Sequence, residues 1–170
     1  DMIARYNVET GGKEWITEPF KDALYISNIL SHGDLLIVSF VDSETPVKAL
    51  NTSDGSVKWS ISDLDVFAQL FLHKDRLYVT HNDILRLVNS ETGETIKEIS
   101  FEDSGLGGIE NVGIFGEHLY IKGAKGVALY SVENLEEINI WLPKGQIEES
   151  QRKGDRLFVK TSPLFGLNSY

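Results

Sequence analysis

ALNTSDGSVKWS, residues 49–60, reads as the end of one strand, a tight turn and the start of the next. Asn51 opens the turn, Asp54-Gly55 closes it, and Val57 and Trp59 alternate with polar residues beyond it. Glycine takes the positive φ such a turn needs without steric cost, and Asn and Asp side chains bond the amides of their own turn. Related stretches lie at 7–15 (NVETGGKEW), 89–97 (NSETGETIK) and 131–139 (SVENLEEIN). Gly11, Gly55, Gly93 and Leu135, which stands for glycine in the last copy, are separated by 44, 38 and 42 residues.

A second marker repeats in a different register. DLLIV at 34–38, DRLYV at 75–79, EHLYI at 117–121 and DRLFV at 155–159 are spaced by 41, 42 and 38 residues. Two independent patterns with one period of about 40 residues define a repeated supersecondary unit. Each period holds four short runs rich in Val, Ile, Leu, Phe and Tyr, bounded by Gly, Asp, Asn and Ser. ALYISNIL, LLIVSFV, PVKALN and SVKWSIS are one such set. No segment shows sustained helical periodicity. Four strands per period predict an all-β chain, a β-propeller of four-stranded antiparallel blades with about four blade repeats. The strands divide as a partial blade at 1–17, blades at 22–61, 65–100 and 108–141, and a partial blade at 145–170.

The motif narrows the kind of propeller. Trp59 is followed by Ser60 and Trp15 by Ile16, so the Trp-Asp signature is missing. The turn instead resembles A-x-D-x-x-T-G-x-x-x-W, the tryptophan-docking repeat of the pyrroloquinoline-quinone-like (quinoprotein-type) propellers, in their cofactor-free branch. Ala49, Asn51, Asp54, Gly55 and Trp59 carry it in the second copy, and Asn7, Thr10, Gly11 and Trp15 in the first. Asn89, Thr92 and Gly93 keep it in the third, with Lys97 at the tryptophan position. The fourth keeps Ser131, has Leu135 for glycine, and has its tryptophan displaced to Trp141. The resemblance implies a seven- or eight-bladed parent ring. The repeat rule puts a fifth turn glycine at about position 172, past Tyr170. Counting strands gives two, then three sets of four, then three, so the expectation is an open arc covered by the rest of a ring, a second copy or another subunit.

Physically, the tryptophans suit a structural role. A blade must bury its faces against its neighbours, and an indole laid between sheets covers a large apolar area while its N–H needs one acceptor. The turn carboxylates Glu9, Asp54, Glu91 and Glu133, with Asp34, Asp75, Glu117 and Asp155 of the other marker, are expected at one end of the blades as a solvated set.

Composition limits the function. The chain has 170 residues, 26 acidic and 16 basic, for a formal charge of −10. That surface repels nucleic acid and anionic lipid, and no Lys/Arg cluster offsets it. With no cysteine, disulfides, thiolate metal sites and the vicinal cysteine pair of quinoprotein dehydrogenases are all missing. No calcium-ligand or catalytic-aspartate motif maps onto any position, so neither cofactor, metal nor catalytic residue is assigned. His32, His73, His81 and His118 lack zinc-site spacing and are read as surface or turn positions. DSGLGGIEN at 103–111 precedes a strand rather than a helix and carries acids, so it is no phosphate loop. It reads as a long inter-blade connector, and Asp103, Leu106 and Asn111 mark it as the candidate partner-contact loop.

These readings converge on a non-catalytic propeller scaffold for protein–protein contact, with possible self-association through open blade edges. The resemblance includes the propeller subunit of the bacterial outer-membrane assembly machinery and implies an extracytoplasmic location. A fragment of a quinoprotein dehydrogenase and a carbohydrate-binding or cell-surface module are the alternatives.

Overall fold

The computed structural model describes residues 1–64, 68–153 and 156–162. Its described secondary structure is entirely β, in two compact units, Asp1–Glu98 and Ile99–Tyr170.

In the first unit, β1 (Ala4–Tyr6) and β2 (Lys13–Ile16) form an antiparallel pair. The next sheet is a meander of β3 (Tyr25–His32), β4 (Leu35–Val41), β5 (Val47–Asn51) and β6 (Val57–Ile61), in spatial order β3-β4-β5-β6. A second meander holds β7 (Gln69–His73), β8 (Arg76–His81), β9 (Ile84–Asn89) and β10 (Thr95–Ser100), whose last two residues cross the unit boundary. The second unit has β11 (Asn111–Phe115), β12 (His118–Lys122), β13 (Val127–Ser131) and β14 (Glu137–Trp141) in one sheet. β15 (Gln146–Lys153) pairs with β16 (Arg156–Ser162) in another. The third strand expected in 145–170 falls outside the described residues, as does Asp155.

Strand burial explains the sequence pattern. The middle strands of each sheet are covered on both faces, so LLIVSFV in β4 is an almost unbroken apolar run rather than an alternating one. The first and last strands are more exposed: β3 alternates along its length and β6 buries only Trp59 and Ile61. Ile3, Val38, Phe40 and Leu50 pack with half-buried Trp15 and Phe20, joining the first pair to the β3–β6 sheet. Leu35, Ile37, Ala49 and Trp59 pack with Leu70, Leu77 and Val79, joining that sheet to β7–β10. In the second unit, Tyr120, Val127 and Ile147 form the corresponding core, with Leu157 and Val159 against them.

Two kinds of turn share one end of each blade. The first joins strands one and two through two residues, the leading one at positive φ: Gly33 (+53°), Lys74 (+55°) and Gly116 (+61°). The other is the repeated motif between strands three and four. Thr52 N–H donates to the Asp34 carbonyl (2.9 Å), Ser90 Oγ to that of Asp75 (3.2 Å) and Val132 N–H to that of Glu117 (3.0 Å). The turns are thus stitched side by side, and Glu9, Asp34, Asp54, Asp75, Glu91, Glu117 and Glu133 are all exposed there.

His81 departs from its sequence reading. It is 5% exposed, closing β8 inside the sheet, and the Nε2 of His73 is also buried. A strand end in a blade covered on both sides is still core.

Candidate functional site

The repeat motif builds the joints on which any site depends. Asn7 Oδ1 accepts from the amides of Glu9 (3.0 Å) and Thr10 (2.9 Å). Asn89 Oδ1 does the same for Glu91 (2.9 Å) and Thr92 (3.2 Å). Gly11, Gly55 and Gly93 each donate 2.8 Å bonds to the carbonyl of the motif asparagine, at φ of +70°, +75° and +77°. In the second copy Asp54 takes over part of the asparagine's task, accepting from the Ser56 amide (2.9 Å) and hydroxyl (2.6 Å). These bonds hold its carboxyl below the usual carboxylate range.

Onto the second and third of these turns the preceding strands set a tryptophan. Trp15 Nε1 donates to the Thr52 carbonyl (2.9 Å) and Trp59 Nε1 to that of Ser90 (3.1 Å). A Cβ on Gly55 would stand 2.8 Å from Trp15, and one on Gly93 2.7 Å from Trp59. Glycine is therefore required twice over, by φ and by the indole. The residue that admits the neighbouring ring is Gly55; Ala49 is instead the cross-strand partner of Trp59 within one blade. Lys97 is half-buried and Trp141 is 48% exposed.

The opposite end of the second unit, where strands two and three turn and successive blades connect, carries the cleft. Its platform is the connector 101–110. Ser104 Oγ donates to the Phe101 carbonyl (2.6 Å) and accepts from the Leu106 amide (3.2 Å), while Phe101 sits edge-on to Tyr130. Gly105, Gly107 and Gly108 all take positive φ, bringing the loop down on the β12–β13 turn. There Lys125 N–H donates to the Leu106 carbonyl (2.7 Å) and Glu110 N–H to that of Lys122 (2.8 Å). Lys122 Nζ meets Glu110 Oε2 at 2.5 Å. Gly123 permits the contact: a Cβ there would lie 2.4 Å from the carbonyl oxygens of both Leu106 and Gly108.

Against this platform opens a cleft of about 690 Å³. Gly105 and Lys125 line one side, Leu142, Pro143, Lys144 and Gly145 of the β14–β15 connection the other, and Thr161 of β16 closes it. Leu142 rests on Gly105 and Gly126, where added Cβ atoms would meet it at 3.2 Å and 2.4 Å, yet it remains 51% exposed. The stem of Lys125 lies over Gly107. A smaller recess of about 350 Å³ between the two sheets is lined by Phe115, Leu129, Ile138 and Leu157 with His118 and Arg156.

The sequence-stated contact residues are divided by this geometry. Asp103 is exposed on the connector and Asn111 is exposed where β11 begins, but neither lines the cleft. Leu106 has no exposed surface, so it anchors the loop and presents nothing to a partner. Lys125, Leu142, Lys144 and Thr161 went unmarked because three separate segments supply them. Among the described residues no three His, Asp or Glu side chains group so as to hold a metal ion.

No family model and no curated protein sequence matches the chain. Solved structures do. BamB from Moraxella catarrhalis is 17% identical with a TM-score of 0.59, over 82% of this chain and 46% of that one. This chain thus spans about half the length of that relative. The computationally designed Ika4 protein is 12% identical with a TM-score of 0.63, over 89% of this chain and 93% of its own. The quinohemoprotein alcohol dehydrogenase ADHIIG from Pseudomonas putida HK5 is 16% identical with a TM-score of 0.60, over 79% and 23%. With antiparallel four-stranded blades, and docked tryptophans at two junctions of its first unit, the chain has the β-propeller fold that these structures share.

Proposed function

We propose that this chain is a non-catalytic propeller scaffold that holds a protein partner at the connector end of its second unit. One observation carries the reading: connector 101–110 is locked by main-chain bonds and close glycine contacts, yet borders an open cleft of about 690 Å³. A loop fixed without a ligand loses little entropy on binding one. Clefts of this size suit extended peptide or ligand groups. The resemblance to cofactor-free propellers supports the same reading and an extracytoplasmic location.

The lack of cysteine allows a direct test. Thr161→Cys and Glu133→Cys variants, each carrying a photo-cross-linker, sample the cleft and the opposite blade end. One discrete adduct from Thr161→Cys and none from Glu133→Cys is the expected result; the reverse, or no adduct, sinks the reading. The dehydrogenase alternative has its own test. Titration with pyrroloquinoline quinone and calcium is expected to leave the quinone spectrum unchanged, and a saturable change with alcohol-dependent dye reduction would make the chain part of an enzyme.

A further inference from the structure

Resting on that scaffold reading, we infer that the cleft takes an extended peptide segment that sets carboxylates against Lys125 and Lys144 and an apolar side chain against Leu142 and Pro143. Acids exceed bases by 26 to 16 in the chain, yet both charged residues lining this cleft are lysines. Elsewhere, six basic groups hold carboxylates, Arg5 with Glu14, Lys48 with Asp22, Lys58 with Glu91, Arg86 with Asp63 and Glu98, Lys122 with Glu110 and Lys160 with Glu148, whereas exposed Lys13 and Lys21 make no such pair among the described residues. Neither Lys125 nor Lys144 has such a partner among the described residues. Lys125 is also held in place, its amide bonded to Leu106 and its stem laid over Gly107, and the exposed residue lines the cleft.

The apolar half of the site is equally specific. Leu142 is pinned by Gly105 and Gly126 but half exposed, and Pro143 follows it. A pinned, half-exposed leucine beside unpaired cations matches a peptide segment carrying both kinds of side chain at short spacing. It does not match a long polyanion. The chain's −10 charge repels polyanions over distance, whereas a short segment meets the two lysines within about one Debye length of 8–10 Å.

Fluorescence anisotropy tests this with a labelled peptide of glutamate, leucine and proline. Its companions replace glutamate by lysine, or leucine by serine. The acidic apolar peptide is expected to bind and to weaken with salt, and both companions to bind far less. Lys125→Glu combined with Lys144→Glu should weaken binding roughly tenfold or more, since two favourable rim pairs become repulsive. Lys21→Glu, an exposed charge in the first unit, should leave it unchanged. Both cleft lysines are exposed, so thermal melting of the double variant should match that of the parent. No binding, equal binding of the lysine peptide, or unchanged binding by the double variant each overturns the inference. If Thr161→Cys still yields its cross-linked partner in any of those cases, the scaffold reading survives and only the acidic apolar chemistry fails.

Discussion

The turns at 51–56 and 131–136 occupy the same place in their blades and are built from different residues. In the first, Gly55 N–H donates to the Asn51 carbonyl (2.8 Å) and Asn51 N–H to that of Ser56 (2.8 Å). In the other, Leu135 donates to Ser131 (3.0 Å) and Ser131 to Glu136 (2.8 Å), reproducing the same ladder. Leu135 takes φ +52°, a conformation usually left to glycine, and is 1% exposed. The main-chain path is therefore set by the two strands and their bonds. Glycine reaches that φ without strain and adds room, and the room matters only where an indole arrives. The comparison separates two jobs that the motif merges, closing a hairpin and docking a neighbour.

Removing the docked ring should have the largest effect. Trp59 is 8% exposed within an apolar cluster, so Trp59→Ala should cost about 3–5 kcal/mol in denaturant unfolding. Trp15 is only half-buried, and Trp15→Ala should cost less. Equal losses would show that docking and burial are not linked as described.

Filling the space beneath the ring comes next. Gly93→Ala meets both a positive φ and the Trp59 ring, costing about 2–4 kcal/mol from left-handed strain and overpacking together. Gly11 has the same φ sign with nothing within 4 Å of a new Cβ, so Gly11→Ala should cost only the conformational part, about 1–2 kcal/mol. In a Trp59→Ala background the two substitutions should cost nearly the same. If they still differ, the indole is not the cause.

The Leu135 turn gives a smaller, opposed pair of effects. Leu135→Gly relieves about 1–2 kcal/mol of left-handed strain but loses a buried side chain worth more, for a net loss of about 1–3 kcal/mol. A gain in stability would mean that strain, rather than burial, decides this position.

The same contrast explains what could be read from the sequence. Local features were legible: Asn-x-x-x-Gly at 7, 51 and 89 specifies a turn through bonds spanning only a few residues, and LLIVSFV announces a strand covered on both faces. The fourth turn was legible from its register alone, although Leu135 replaces glycine; its left-handed geometry was not, because strand pairing imposes it and no single residue advertises that. His81 looked like a surface residue because a strand end is usually near solvent, while here it ends a middle strand that is buried along almost its whole length. Leu106 looked exposed because it lies in a glycine-rich connector, while here the β12–β13 turn packs against it. The cleft was illegible because residues 105, 125, 142–145 and 161 meet only after two sheets have formed.

The smallest effect is a titration that reports on the fourth turn itself. Tyr130 and Glu137 face each other across β13 and β14 where the register shifts, and the phenol donates to Glu137 Oε2 at 3.2 Å. Burial first, then the nearby Glu137 charge and the hydrogen bond to it, push the Tyr130 phenol up to about 12. All three causes favour the neutral phenol. The folded value lies above the ordinary one of 10.0, so the resulting stability is fully present below about pH 10 and is lost as pH rises toward 12. In an ultraviolet phenolate titration Tyr130 should therefore ionise near pH 12, late among the six tyrosines. Glu137→Gln removes the charge but keeps the burial, so the late transition should move only part of the way back toward 10. If it does not move, burial alone sets the phenol. Were it instead to return fully to 10, the turn would have opened, and the main-chain ladder would not hold it without the Tyr130–Glu137 bond.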